Sequence, residues 1–201
     1  MARLQLSKSS LSRETASLKT YKQFLPSLDL KRQELMSQRA KAEQALTRTK
    51  AEIEAFLRSV AEELPMLSND KVDLKDLVVV KAVELGWENI MGAHLPVLNN
   101  VEVVVCDYSF LAKPHWVDGV AEKLREILIL RIRVQVEERR LALLNAAVRV
   151  ITQRVNLFDK VLIPRARKNI RRIKIYLSDM ERAGVINAKL AKNKRLAEGR
   201  T

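Results

Sequence analysis

Cysteine, histidine, glycine and aromatic residues are all scarce in this chain. A single cysteine, Cys106, excludes an internal disulfide framework and fits a reducing compartment. It lies in a valine-rich stretch, where it reads as a small packing residue. Two histidines, His94 and His115, have no spacing typical of metal ligands. The five glycines include no phosphate-cradling loop after a strand; Gly184 and Gly199 stand alone. Most carboxylates sit beside Lys or Arg on helical patterns and read as solvated. Catalytic residues, cofactor sites and metal sites are therefore not expected. No run of ~20 apolar residues exists to span a bilayer. Residues 1–10 lack the apolar core of a signal peptide.

What the chain does have is aliphatic periodicity. In steps of seven from Val120 come Ile127, Val134, Leu141, Val148, Val155 and Leu162. Three residues further on, Leu130, Leu144, Ile151 and Phe158 fill the companion row. Alternating spacings of three and four put one narrow stripe on a helix, the seam of a left-handed coiled coil. Neither Gly nor Pro interrupts residues 120–163. Such a seam needs a partner, and the N-terminal segment supplies one. From Leu4 the register gives Leu11, Leu18, Leu25, Leu46, Ile53 and Val60, with Arg32 and Arg39 as polar interruptions. The fold class expected is mainly α: a long antiparallel two-helix left-handed coiled coil from the two chain ends, with a small β-hairpin region in the middle. Helices of about 55 residues would reach roughly 80 Å. Two helices of an ordinary bundle are the alternative reading.

The chain divides into an N-terminal shaft helix (1–63), a middle loop and hairpin region (64–115), a C-terminal shaft helix (116–184) and a basic tail (185–201). The first helix is expected to start near Ser9 or Ser10, to bend near residues 23–26 because of Pro26, and to stop before Leu64-Pro65. In the middle, Leu77-Val78-Val79-Val80 and Val101-Glu102-Val103-Val104-Val105 read as strands, with Asn99-Asn100 as a candidate tight turn. The hairpin is expected to pack through Trp87, Ile90, Phe110 or Trp116. The second helix is expected to begin near Trp116 and to pass Pro164. Steps of four from Leu162 to Ala166 to Ile170 predict a stutter beside that proline. Gly184 is a candidate end of the helix, and residues 187–201 read as basic and poor in apolar content.

The net charge of +13 is uneven. Residues 160–201 carry 13 Lys or Arg against three acids, whereas residues 64–159 carry 12 against 13. An antiparallel hairpin would bring both basic ends to one positive tip, suited to acidic protein surfaces or nucleic acid. Only Tyr176 supplies an aromatic face there, so base stacking is poorly supported and no nucleic acid is expected as a partner. From the residues alone, a coiled-coil rod with one basic tip is the reading, and a cytosolic adaptor or tether is one use for it.

The stretch Thr152-Gln153-Arg154-Val155-Asn156-Leu157-Phe158-Asp159-Lys160-Val161-Leu162-Ile163-Pro164-Arg165 resembles a segment of the D subunit of the V-type and A-type rotary ATPases. Lys31-Arg32-Gln33-Glu34-Leu35 and Glu88-Asn89-Ile90-Met91-Gly92 with Pro96 are similar to two further segments of that family, in the same order. The chain departs from the family at its start, with Leu6-Ser7-Lys8-Ser9 where a Pro-Thr motif is usual, and at Pro26. The resemblance implies a non-catalytic central-stalk shaft that couples ATP hydrolysis or synthesis to rotation of the membrane ion-translocating ring. It implies as partners the catalytic A and B subunits, the small F subunit, and the subunit linking the shaft to the membrane ring. It also implies a peripheral position on the cytoplasmic face, with no direct membrane insertion and no cofactor. The candidate partner contacts are Lys31, Arg32, Asn89, Met91, Arg154, Asn156, Pro164, Arg165, Arg167, Lys168, Arg171 and Arg172.

Overall fold

Helix α1 begins one residue after a serine cap. The Ser7 hydroxyl accepts the Ser10 N–H at 3.2 Å, and the Ser7 carbonyl accepts the Leu11 N–H at 3.0 Å. The cap is thus Ser7, earlier than the serines expected from sequence, because its hydroxyl satisfies an otherwise orphaned helix donor. The computed structural model describes residues 4–68, 74, 77–108 and 113–198. Helix α1 covers Lys8–Glu63 and continues through Pro26, whose ring is exposed. A short 3-10 turn follows at Pro65–Ser68. Strands β1 (Val78–Ile90) and β2 (Ala93–Val105) form an antiparallel hairpin. Helix α2 spans Trp116–Asn156, a π turn occupies Leu157–Leu162, and helix α3 runs Ile163–Glu198. Among the described residues the protein is mainly α, with paired antiparallel helices and a two-stranded sheet.

Two compact units are present, and α1 contributes to both. The first combines Met1–Leu30 with Ile151–Thr201. In it Lys8 lies 4.0 Å from Glu181, and the Tyr21 and Phe158 rings meet edge to face at 5.6 Å. Rising numbers on α1 meet falling numbers on the C-terminal helices, so the pair is antiparallel. Ser10, Ile151, Val155, Ile163, Ala166 and Ile173 are buried along this seam.

The second unit is Lys31–Val150. Here Lys50 pairs with Glu138 at 2.7 Å and Lys123 with Glu63 at 3.1 Å, again an antiparallel order. Leu35, Leu46, Val117, Val120, Ala121 and Leu144 form the aliphatic core. Thr49 is buried in the same seam, with its hydroxyl 3.2 Å from Glu137 Oε1. The hairpin belongs to this unit and buries Leu77, Leu95, Pro96 and Val103.

The hairpin differs from the sequence reading in length, turn and packing. Each strand is 13 residues long, and the turn is at Met91-Gly92, with φ of 52° and 89°. Two successive positive φ angles match the twist of a tight hairpin turn, and Asn89 Oδ1 accepts the Gly92 N–H at 3.0 Å. Asn99 and Asn100 are instead within β2, Asn100 opposite Glu84 and Asn99 at a register shift. Packing is through Leu95, Pro96 and Val103, while Trp87 is 69% exposed. The expected contact through Phe110 lies outside the described residues.

The irregularity at Pro164 is a π turn rather than a stutter in a plain α-helix. Before it, the buried positions follow Leu144, Ile151 and Val155; after it they are Ile163, Ala166 and Ile173. The step from Val155 to Ile163 is one residue longer than a heptad. An α-helix would carry that extra residue as a rotation of about 100°. The wider turn absorbs it, with the Ile163 N–H reaching back to the Phe158 carbonyl. It also moves the backbone preceding Pro164, whose ring would clash with the carbonyl four residues earlier. Further on, α3 passes Gly184, expected as an end, because Ala188, Leu190, Ala191 and several Lys residues favour continuation.

Candidate functional site

The site candidates fall into two groups, one in each unit. In the first unit, Arg154 is exposed on α2 and Asn156, its last residue, is half-buried. Pro164, Arg165, Arg167, Lys168, Arg171 and Arg172 are all exposed on α3. Helical spacing explains this. Ile163, Ala166, Ile170, Ile173 and Leu177 recur every three or four residues and take the packed face, leaving the cations between them for solvent. Two grooves open beside this face. One, of about 370 Å³, is bordered by Leu4, Gln5, Ser10, Arg13, Arg165 and Asn169. The other, of about 140 Å³, is bordered by Glu14, Tyr21, Leu162 and Ala166, and shares Arg165 and Asn169.

In the second unit, Lys31 is exposed and Arg32 half-buried on α1, while Asn89 and Met91 stand exposed at the hairpin turn. Asn89 has a structural duty, since its side chain holds Gly92. The hairpin is fixed to α2 by Arg140, which donates to Glu88 at 2.7 Å and to the Pro96 carbonyl at 3.4 Å. The Arg140 side chain is only 23% exposed, so this charge-assisted contact is stronger than an ordinary surface pair. A cleft of about 370 Å³ lies beside it, between Ala42 and Ala45 of α1, Val97 of β2, and Arg133 and Glu137 of α2. A second, apolar cleft of about 280 Å³ is lined by Phe56, Val60, Leu64, Val120, Leu124 and Ile127. Sequence reasoning missed Arg140 and Glu137, and read Glu88 only as part of a family-like segment, not as an ion-pair partner. Their partners are distant in the chain, and no local pattern distinguishes them from solvated helix charges.

Among the described residues no group of His, Cys, Asp or Glu converges to hold a metal ion. One titration stands out: the Tyr108 hydroxyl donates to the Asp118 carboxylate, and that hydrogen bond raises the phenol's pKa. It joins the segment before α2 to the first turn of that helix. No helix among the described residues is long and apolar enough to cross a membrane.

The family model for the D subunit of ATP synthase matches residues 10–193. The D subunit of the V-type ATP synthase of Borreliella burgdorferi is 30% identical over 200 residues, covering 100% of this chain and 98% of the relative. That of Chlamydia felis is 31% identical over 202 residues, covering 96% and 94%. That of Chlamydia pneumoniae is 29% identical over 193 residues, covering 95% and 92%. With the match running almost from end to end, the chain belongs to the ATP synthase D-subunit family.

Proposed function

We propose that the chain is the central-stalk rotor shaft of a V- or A-type rotary ATPase, a non-catalytic component that turns with the membrane ring. The observation that carries this reading is the first unit. Its antiparallel helices bring the N-terminal segment beside α3, whose outward face is a row of exposed cations on a closed aliphatic seam. A shaft end that enters a ring needs such a surface: stable within itself, and held from outside by weak forces. Exposed charges act over about 8–10 Å at ordinary salt and each contributes little, which suits a bearing that must move on from every contact. The ATP sites belong to the A subunits in this reading. The shaft acts by making different contacts with successive A–B pairs, and a rotor can bias a conformational equilibrium only through such differences. Arg154, Asn156, Pro164, Arg165, Arg167, Lys168, Arg171 and Arg172 are then contacts to the A and B subunits. Lys31, Arg32, Asn89 and Met91 face the F subunit or the subunit linking the shaft to the membrane ring. The complex would hold the chain peripherally on the cytoplasmic face.

Co-assembly tests the reading. The purified chain is expected to form a stable complex with A and B subunits while hydrolysing no nucleotide itself. Reversing Arg167, Lys168, Arg171 and Arg172 to Glu is expected to slow that assembly at least about tenfold in low salt, with helix content unchanged. Wild-type assembly rates for the reversed chain would make the basic face mere solvated surface. Turnover of ATP by the chain alone would refute the non-catalytic assignment.

A further inference from the structure

We propose that Arg13 and Arg165 form a two-pronged seat for a single side-chain carboxylate on an acidic segment of a partner protein. Arg13 comes from α1 and Arg165 from the first turn of α3, and they border the same groove of about 370 Å³. Both are exposed. Among the described residues neither guanidinium has a hydrogen-bond or ion-pair partner, although neighbouring charges find theirs: Lys8 with Glu181 and Arg182 with Asp179. Two planar forks from opposite helices can each meet one oxygen of a carboxylate. The Asn169 amide, the Ser10 hydroxyl and the Gln5 amide border the same space and can donate further.

Glu14 decides the charge of the guest. It lines this groove and the adjoining one but lies beyond ion-pair distance of either arginine. The seat therefore holds two positive charges and one negative. A monoanion neutralises it, whereas a phosphate dianion leaves a surplus negative charge beside Glu14. The walls also include Leu4, and Leu162 and Ala166 in the adjoining groove, which suit the methylene stem of a glutamate. The shaft reading enters only in the identity of the partner, an acidic segment of the surrounding ring; the seat itself stands on the groove.

The test uses the full chain with ¹⁵N-labelled arginine, following the Nε–H resonances by NMR. The probes are a blocked peptide containing Ala-Leu-Glu, its Ala-Leu-Gln counterpart, and inorganic phosphate. The glutamate peptide is expected to shift Arg13 and Arg165 along one shared binding curve, with the glutamine peptide and phosphate at least about tenfold weaker. Arg13→Gln or Arg165→Gln weakens peptide binding about tenfold, while Lys174→Gln, at an exposed α3 cation away from the groove, changes it less than about twofold. Glu14→Gln raises phosphate affinity more than peptide affinity. Independent shifts of the two arginines, equal affinity for phosphate, or an equal effect of Lys174→Gln overturns the seat. Peptide failure with intact A–B assembly removes the seat and leaves the shaft. Peptide binding as expected with failed assembly removes the shaft and leaves the seat.

Discussion

Ile173 and Leu157 are both aliphatic, and both lie on the C-terminal helical run, yet they do opposite things. Ile173 is fully buried, whereas Leu157 is 47% exposed on the π turn. Ile173→Ala is therefore expected to destabilise the chain by about 3 kcal/mol, and Leu157→Ala by less than about 0.5 kcal/mol, in urea denaturation. Equal losses would mean that the seam does not run where these burials put it. At the hairpin turn, Gly92 has a φ of 89°, where a Cβ is strained although nothing lies within 4 Å of it. Gly92→Ala is expected to destabilise the hairpin by about 1 kcal/mol, seen as faster hydrogen exchange of β1 and β2 amides with unchanged helical circular dichroism. Unchanged exchange would contradict that geometry. At this scale the sequence was legible where chemistry is uniform: Val120, Leu144, Ile151 and Val155 read as seam and are buried. It was not legible at Met91, because a methionine at positive φ carries no local signal and Asn99-Asn100 offered a stronger one.

Among the elements, the long helices were legible because a heptad repeats its evidence at every turn. The hairpin was read only at its outer ends, where valines cluster. Its inner half holds Gly86 and Pro96, and register shifts at Val80/Ala82 and Glu84/Leu85 erase strict alternation along β1. Trp87, the natural guess for an anchor, stands opposite Pro96 and faces solvent, while Arg140 provides the tether from α2. The π turn was half visible. Its position was marked by Pro164 and the broken spacing, but its form required knowing that one residue, not four, is in surplus. Deletions test that surplus. Removing Val161 is expected to convert the π turn to plain α-helix and restore the heptad from Val155 onward, with helix content retained and the melting temperature within about 3 °C. Removing Arg167 instead turns Ile170, Ile173 and Leu177 away from their seam by about 100° and is expected to lower it by at least about 8 °C. Equal effects of the two deletions would show that the turn does not absorb a surplus residue.

For the whole molecule, charge and seam divide the work. The aliphatic rows stabilise each antiparallel pair, while Arg165, Arg167, Lys168, Arg171, Arg172 and Lys174 of α3 are exposed to solvent. The chain belongs to the ATP synthase D-subunit family, and its proposed part in a rotary ATPase is mechanical. The proposed contacts are not legible in the sequence as one site, since they divide between two units. The most direct test attaches a bead to an engineered cysteine at Lys81, on the exposed hairpin, in an immobilised complex with A and B subunits. Cys106 is first replaced by Ser so that the label is unique. On adding ATP the bead is expected to rotate continuously in one direction, at a rate that rises with ATP concentration and stops with a non-hydrolysable analogue. A bead that stays fixed while the complex hydrolyses ATP at its full rate would contradict the assignment of this chain as the rotor.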